Sequence, residues 1–197
     1  MFRPALNRLA LAACASLVPG LAFAHSGLGQ VVGFAEGLAH PLSGLDHVLA
    51  MVMVGVLAWQ CGRRAAWLLP ASFLAVMALG AGLGMAGLGL PLVEAGIALS
   101  VIALGGAIAF GLRPPLALGA ALVGLFALFH GQAHGAGMPE TAQGLAYAAG
   151  FLVATAGLLG TGLGLGRAIG GQQGRAALRL AGGTAAVAGV ALLAGLA

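Results

Sequence analysis

Apolar residues fill six long stretches of the chain, at roughly 42–60, 66–87, 92–112, 115–134, 142–165 and 177–196. Each is close to the length of about 20 residues that an α-helix needs to cross a bilayer core of about 30 Å. A lone segment in lipid has to satisfy its own backbone hydrogen bonds, so helices are the expected form. The connections are short and rich in turn residues: Gly62, Gly87 to Pro91, Pro114-Pro115, Met138-Pro139 and Gly170 to Gly174. The pattern predicts an all-α integral membrane protein with six transmembrane helices.

A different pattern precedes them. Arg3 and Arg8 are followed by the apolar Leu9 to Val18, the break Pro19-Gly20, and the small-x-small triplet Ala22-Phe23-Ala24. Residues 1–24 therefore read as a cleavable signal peptide. Cleavage leaves His25 as the mature N-terminus and residues 25–197 as a six-helix transmembrane domain. A lipoprotein signal at Leu11-Ala12-Ala13-Cys14 would have a very short apolar core. An uncleaved first helix would be short for a span.

Composition supports the membrane reading. Of 197 residues, 61% are hydrophobic and 6% charged, against about 25% charged in soluble domains. Such a chain cannot cover a water-facing surface. Its 36 glycines follow no collagen period and suit close helix contacts in lipid, as in Gly80-x-x-x-Gly84 and Gly160-x-x-x-Gly164. Cys14 and Cys61 are far apart and imply no disulfide framework.

The net charge of +4 comes from eight arginines and no lysine. The arginines lie between apolar spans, which points to topology rather than to nucleic acid. With residue 25 outside, Arg63, Arg64, Arg113, Arg167, Arg175 and Arg179 all fall on the cytoplasmic side. The expected location is a bacterial inner membrane, with the mature N-terminus and the C-terminus both periplasmic.

Two polar islands interrupt this apolar chain. One is His40-Pro41-Leu42-Ser43-Gly44-Leu45-Asp46-His47, and the other is Phe129-His130-Gly131-Gln132-Ala133-His134-Gly135. Together they hold four of the five histidines and one of the four acids. A charged side chain near a bilayer centre costs about 2.5–3.5 kcal/mol on insertion scales, so such groups mark sites. The topology puts both islands at the outer ends of their spans, with Glu94 opening the third span at the same depth. The expectation is one divalent-metal site.

His130 and His134 are four apart and share a helix face, a common way to present two imidazoles to a metal. The negative end of that helix favours a cation. His40 and His47 are seven apart, or roughly 10 Å along a straight helix, too far for one ion. Pro41 and Gly44 suggest a late start or a break, so that His40 folds back or the two histidines are successive stations. Asp46 either ligates or accepts a hydrogen bond from an imidazole on another helix. It also offsets, with Glu36, the positive dipole of a helix N-terminus. His25, as a free N-terminus, could chelate as well. Met51 and Met53 cannot share a helix face, which argues against a copper thioether ladder. Phe73, Phe129 and Cys61 read as packing.

These residues resemble a known family. His40 to Met51 resembles the first-helix signature of the HupE/UreJ family of nickel permeases: a His, five residues, then Asp-His. Phe129 to Gly135 is similar to the family's second signature, and Pro91-Leu92-Val93-Glu94 to the segment opening its third span. Phe73 matches its second-span aromatic. The resemblance implies uptake of Ni²⁺ or Co²⁺ across a bacterial inner membrane, to supply a hydrogenase or urease. The metal residues it implies are His40, Asp46, His47, Glu94, His130 and His134. The family's glutamate two residues after His134-Gly135 is replaced here by Gly137.

A transporter rather than an enzyme is expected. It would have no prosthetic group, and its partners would be a divalent ion and the bilayer. No nucleotide-binding motif is present, so the chain would act as a secondary permease. The rivals are an intramembrane zinc hydrolase, which lacks a His-Glu-x-x-His and a separate general base, and a metal receptor that does not transport.

Overall fold

The computed structural model describes residues 33–136, 138, 142–171 and 174–196. The expected signal peptide, His25 and Gly137 lie outside the described residues. The described chain forms seven helices: α1 (Phe34–Ser43), α2 (Leu45–Gln60), α3 (Ala65–Met85), α4 (Val93–Ala109), α5 (Leu116–Gly135), α6 (Ala142–Ile169) and α7 (Arg175–Leu193). No strand occurs among the described residues.

Each of the six apolar stretches coincides with helix. Four helices, α3, α5, α6 and α7, are long and apolar enough to cross a membrane by themselves. The first stretch differs from expectation. It begins earlier, at Phe34, and is two helices bent by 86°. The break falls at Gly44, whose backbone is extended (φ −102°, ψ 120°), while Pro41 sits within α1. The third stretch, α4, has 17 residues, or about 25 Å of helix. Large apolar side chains such as Leu42, Trp67, Leu79, Leu118, Leu145, Leu180 and Val187 are exposed, which suits a lipid-facing surface. The result is a multi-pass membrane architecture.

Lipid offers helices no hydrophobic drive to associate, so they hold together by close backbone approach. Glycines supply that approach here. A Cβ at Gly131 or Gly135 of α5 would strike the Met77 or Ala81 carbonyl oxygen of α3, and Gly80 of α3 lies against Leu128 of α5. In the same way Gly55 of α2 lies on the Leu159 carbonyl of α6, and Gly37 of α1 on the Tyr147 carbonyl. Gly105 of α4 and Gly182 of α7 lie on each other's backbones.

One sequence expectation is corrected by these seams. Gly80 and Gly84 do pack against a neighbour, whereas Gly160 and Gly164 face open space. The buried pair on α6 is Gly162 and Gly166, against Val52 and Trp59 of α2. The choice is a matter of helix rotation, which spacing alone does not reveal.

The two ends of the bundle differ in chemistry. The ends of α2 and α4 and the starts of α3, α5 and α7 carry Arg63, Arg64, Arg113, Arg175 and Arg179. There the Gln60 side chain donates to the Leu112 carbonyl at 2.6 Å, and the Arg179 guanidinium lies beside Gly111. The opposite end carries the start of α2 and the close of α5, with their histidines. Between the ends lies an apolar core in which Met51, Val54, Leu57, Leu69, Phe73 and Leu104 are almost wholly buried. Met51 and Met77 are thus core residues.

The seams predict unequal glycine tolerance along α6. Gly162→Val should destabilise the fold by roughly 1–3 kcal/mol, the usual cost of overpacking. Gly160→Ala should be neutral or stabilising by up to about 1 kcal/mol, as Ala is the better helix former. Denaturant titration of the purified protein in detergent micelles checks both; equal effects would remove the assigned rotation of α6.

Candidate metal-handling site

The break at Gly44 creates the site's first half. It turns α1 by 86° to lie against α6, which brings His40 to the rings of that helix. His40 lies 5.8 Å from Tyr147 and 6.3 Å from Phe151, ring centre to ring centre. Ser43 closes α1 by donating its hydroxyl to the His40 carbonyl at 2.6 Å.

The first turn of α2 follows at once. Its leading N–H groups have no partner within the helix, and Asp46 supplies one. Asp46 Oδ1 accepts the His47 backbone N–H at 2.7 Å and the His47 Nδ1–H at 2.8 Å. The sequence leaves Asp46 either to ligate or to hold an imidazole on another helix; the imidazole it holds is that of its own neighbour, because the open helix start lets the short carboxylate fold over the next residue. With Nδ1 so engaged, neutral His47 presents a bare Nε2.

The second half comes from α5. Its His134 Nε2 lies 2.6 Å from His47 Nε2, so His134 donates and His47 accepts. One turn deeper, His130 Nε2 lies 3.1 Å from the Ser100 hydroxyl of α4. Phe151 packs 4.3 Å from His134, and Phe73 5.7 Å from His130. Phe73 is therefore packing, as expected, but packing that walls the site.

The four imidazoles form a continuous series. Ring centres are 4.8 Å apart for His40 and His134, 4.6 Å for His134 and His47, and 4.8 Å for His47 and His130. Exposure falls along it: His40 is exposed, His134 intermediate, His47 8% exposed and His130 0%. The innermost ring ends in a buried Nδ1 with no partner.

Other expected residues lie elsewhere. Glu94 is exposed in the first turn of α4 and takes no part in the ring contacts. The chain enters that helix through Leu92, a non-glycine residue in the left-handed region (φ 57°). Glu36 is exposed and accepts the Gly33 N–H at 3.0 Å, closing the start of α1. Among the described residues, no three His, Cys, Asp or Glu side chains converge as a ready metal cage. The 2.6 Å gap between His47 and His134 explains part of this. Two nitrogens on one ion, each at about 2.0–2.1 Å, stand farther apart than a hydrogen-bonded pair. Cys61 is half-buried at the arginine end, where burial pushes its thiol up, away from reactive thiolate.

Sequence reasoning missed Ser100, Tyr147, Phe151 and Gln132. Ser100 was visible only as a hydroxyl inside an apolar span. Gln132 stands between the two histidines in sequence but about 160° round the helix from them. It is 2% exposed, and its Oε1 has no partner.

Comparison with known proteins shows the family. The HupE / UreJ protein family matches residues 12–192. Protein HupE of Rhizobium leguminosarum bv. viciae is 44% identical over 189 residues, covering 96% of this chain and 98% of that protein. No solved structure matches. With a family match across nearly its whole length, the chain belongs to the HupE/UreJ family.

Proposed function

We propose that the chain is a secondary permease that takes up Ni²⁺, or Co²⁺, across the bacterial inner membrane for a hydrogenase or urease. The observation that carries this reading is the series of four imidazoles, graded from exposed His40 to fully buried His130. Divalent nickel and cobalt suit imidazole nitrogen. A graded series lets an ion exchange water for nitrogen one step at a time. A packed cage would serve retention, whereas cargo has to leave again.

In this proposal residues 1–24 are removed and the rest makes six membrane passes, with α1 and α2 as one broken span. Discontinuous helices at a substrate site are a recurrent device of transporters. The histidine end faces the periplasm and the arginine end the cytoplasm, following the positive-inside rule. Both mature termini are then periplasmic. His40 and His134 meet the ion, His47 receives it under the hold of Asp46, and His130 is the deepest donor. Glu94, at the rim, attracts the cation before it reaches the rings, with Glu36 and His25 subsidiary. A divalent ion moving inward gains about 2 × 2.3 kcal/mol per 100 mV of inside-negative potential, so no nucleotide is required.

The test is radioactive Ni²⁺ uptake into vesicles holding the purified protein, with an imposed inside-negative potential. Saturable uptake should be lost in both His47→Ala and His134→Ala, with Co²⁺ competing. Metal bound in a histidine-dependent way without uptake would instead identify a receptor. Asp46→Ala should weaken capture about 10–100-fold, the usual cost of removing a group that orients a metal-binding imidazole. Asp46→Asn, which keeps an acceptor, should lose less.

A further inference from the structure

We infer that Ser100 is a positioning residue, holding His130 in the tautomer that offers Nδ1 to the incoming ion. The identity of that ion rests on the permease reading; the hydrogen-bond geometry does not.

A hydroxyl has one proton to donate. Ser100 commits it to the Ile97 carbonyl of its own helix at 2.6 Å. What remains toward His130 is a pair of acceptor lone pairs, 3.1 Å from Nε2. A bare Nε2 would set two acceptors face to face. Neutral His130 therefore carries its proton on Nε2, and its lone pair lies on Nδ1. Ser100 and His130 are both 0% exposed, so water does not replace either partner.

The bland account is that Ser100 merely bonds back to its own helix, as buried serines often do. That accounts for the Ile97 bond and for nothing else. It leaves unexplained why the remaining lone pairs meet the deepest imidazole. It also leaves unexplained why that imidazole keeps a buried Nδ1 without a partner, which proteins ordinarily avoid. Metal-binding histidines usually donate their second N–H to an acceptor that fixes the tautomer and raises ligand basicity. Ser100 occupies that place for His130. Asp46 does the same for His47 with the opposite ring nitrogen, so the two rings would present different faces to an ion.

The experiment uses the full chain in lipid nanodiscs with ¹⁵N-labelled histidine, the His130 signals being identified by their loss in His130→Gln. Wild type at neutral pH should show a protonated Nε2 and a bare Nδ1 at His130. Ser100→Ala should mix the two tautomers and raise the half-saturating Ni²⁺ concentration for uptake about 10–100-fold. Ser100→Thr keeps a hydroxyl that can bond back to the helix, and should restore both readouts. Ser100→Cys, close in size but a weak acceptor, should behave like Ser100→Ala; it decides the matter if the alanine variant fails to assemble. A protonated Nδ1 in wild type would overturn the inference. So would an unchanged tautomer with unchanged half-saturation in Ser100→Ala and Ser100→Cys. Wild type without uptake but with the stated tautomer would sink the permease reading while leaving Ser100 as the residue that orients His130.

Discussion

The contact on which the rest depends is the glycine seam between α3 and α5. In His130-Gly131-Gln132-Ala133-His134-Gly135, each histidine is followed directly by a glycine. Successive residues are about 100° apart on a helix. The motif therefore carries two parallel stripes, one of imidazoles and one of bare backbone. Gly131 and Gly135 lie against the Met77 and Ala81 carbonyls, which fixes the rotation of α5. The imidazole stripe is then aimed at α2, α4 and α6, where His130 meets Ser100 and His47, and His134 meets His47 and Phe151. A rotation by one residue would put glycine where the imidazoles stand. Cohesion of the bundle and aim of the site are one interaction.

This explains how far the sequence could be read. Helix positions were legible because long apolar stretches admit little else in lipid. A break near Gly44 was legible from Pro41 and Gly44 themselves, whereas the sequence left open whether His40 folds back or stands as a separate station. The four histidines belonged together because topology put them at one depth. Rotation and cross-helix neighbours were another matter. Gly160 and Gly162 look alike in sequence, yet only Gly162 touches a neighbouring helix. Asp46 was read as reaching outward, but the unpartnered N–H groups of its own helix start hold it to His47. Ser100 showed only as a hydroxyl in an apolar span, and its partner His130 was not visible until α4 and α5 were packed side by side.

Burying imidazoles also sets a problem of solvation, and neighbouring side chains meet it. Desolvated polar groups need partners. His47 bonds to Asp46 and His134, and His130 to Ser100, while His40 stays near the surface. Phe73 and Phe151 cover the flanks, and Met51, Val54 and Leu69 are buried in the apolar core.

On the permease reading this mutual satisfaction limits affinity in a useful way. An ion that binds between His47 and His134 has to replace the hydrogen bond they already make, and the net gain is the difference between the two. A preformed cage with unpartnered nitrogens would bind more tightly and release more slowly. Transport needs binding favourable enough to enter and weak enough to leave. His130 departs from this pattern. Its Nδ1 has no bond to surrender, so an ion binding there displaces no hydrogen bond. On that reading the series offers an ion a hydrogen bond to be broken at its middle, between His47 and His134, and a free lone pair at its deepest ring.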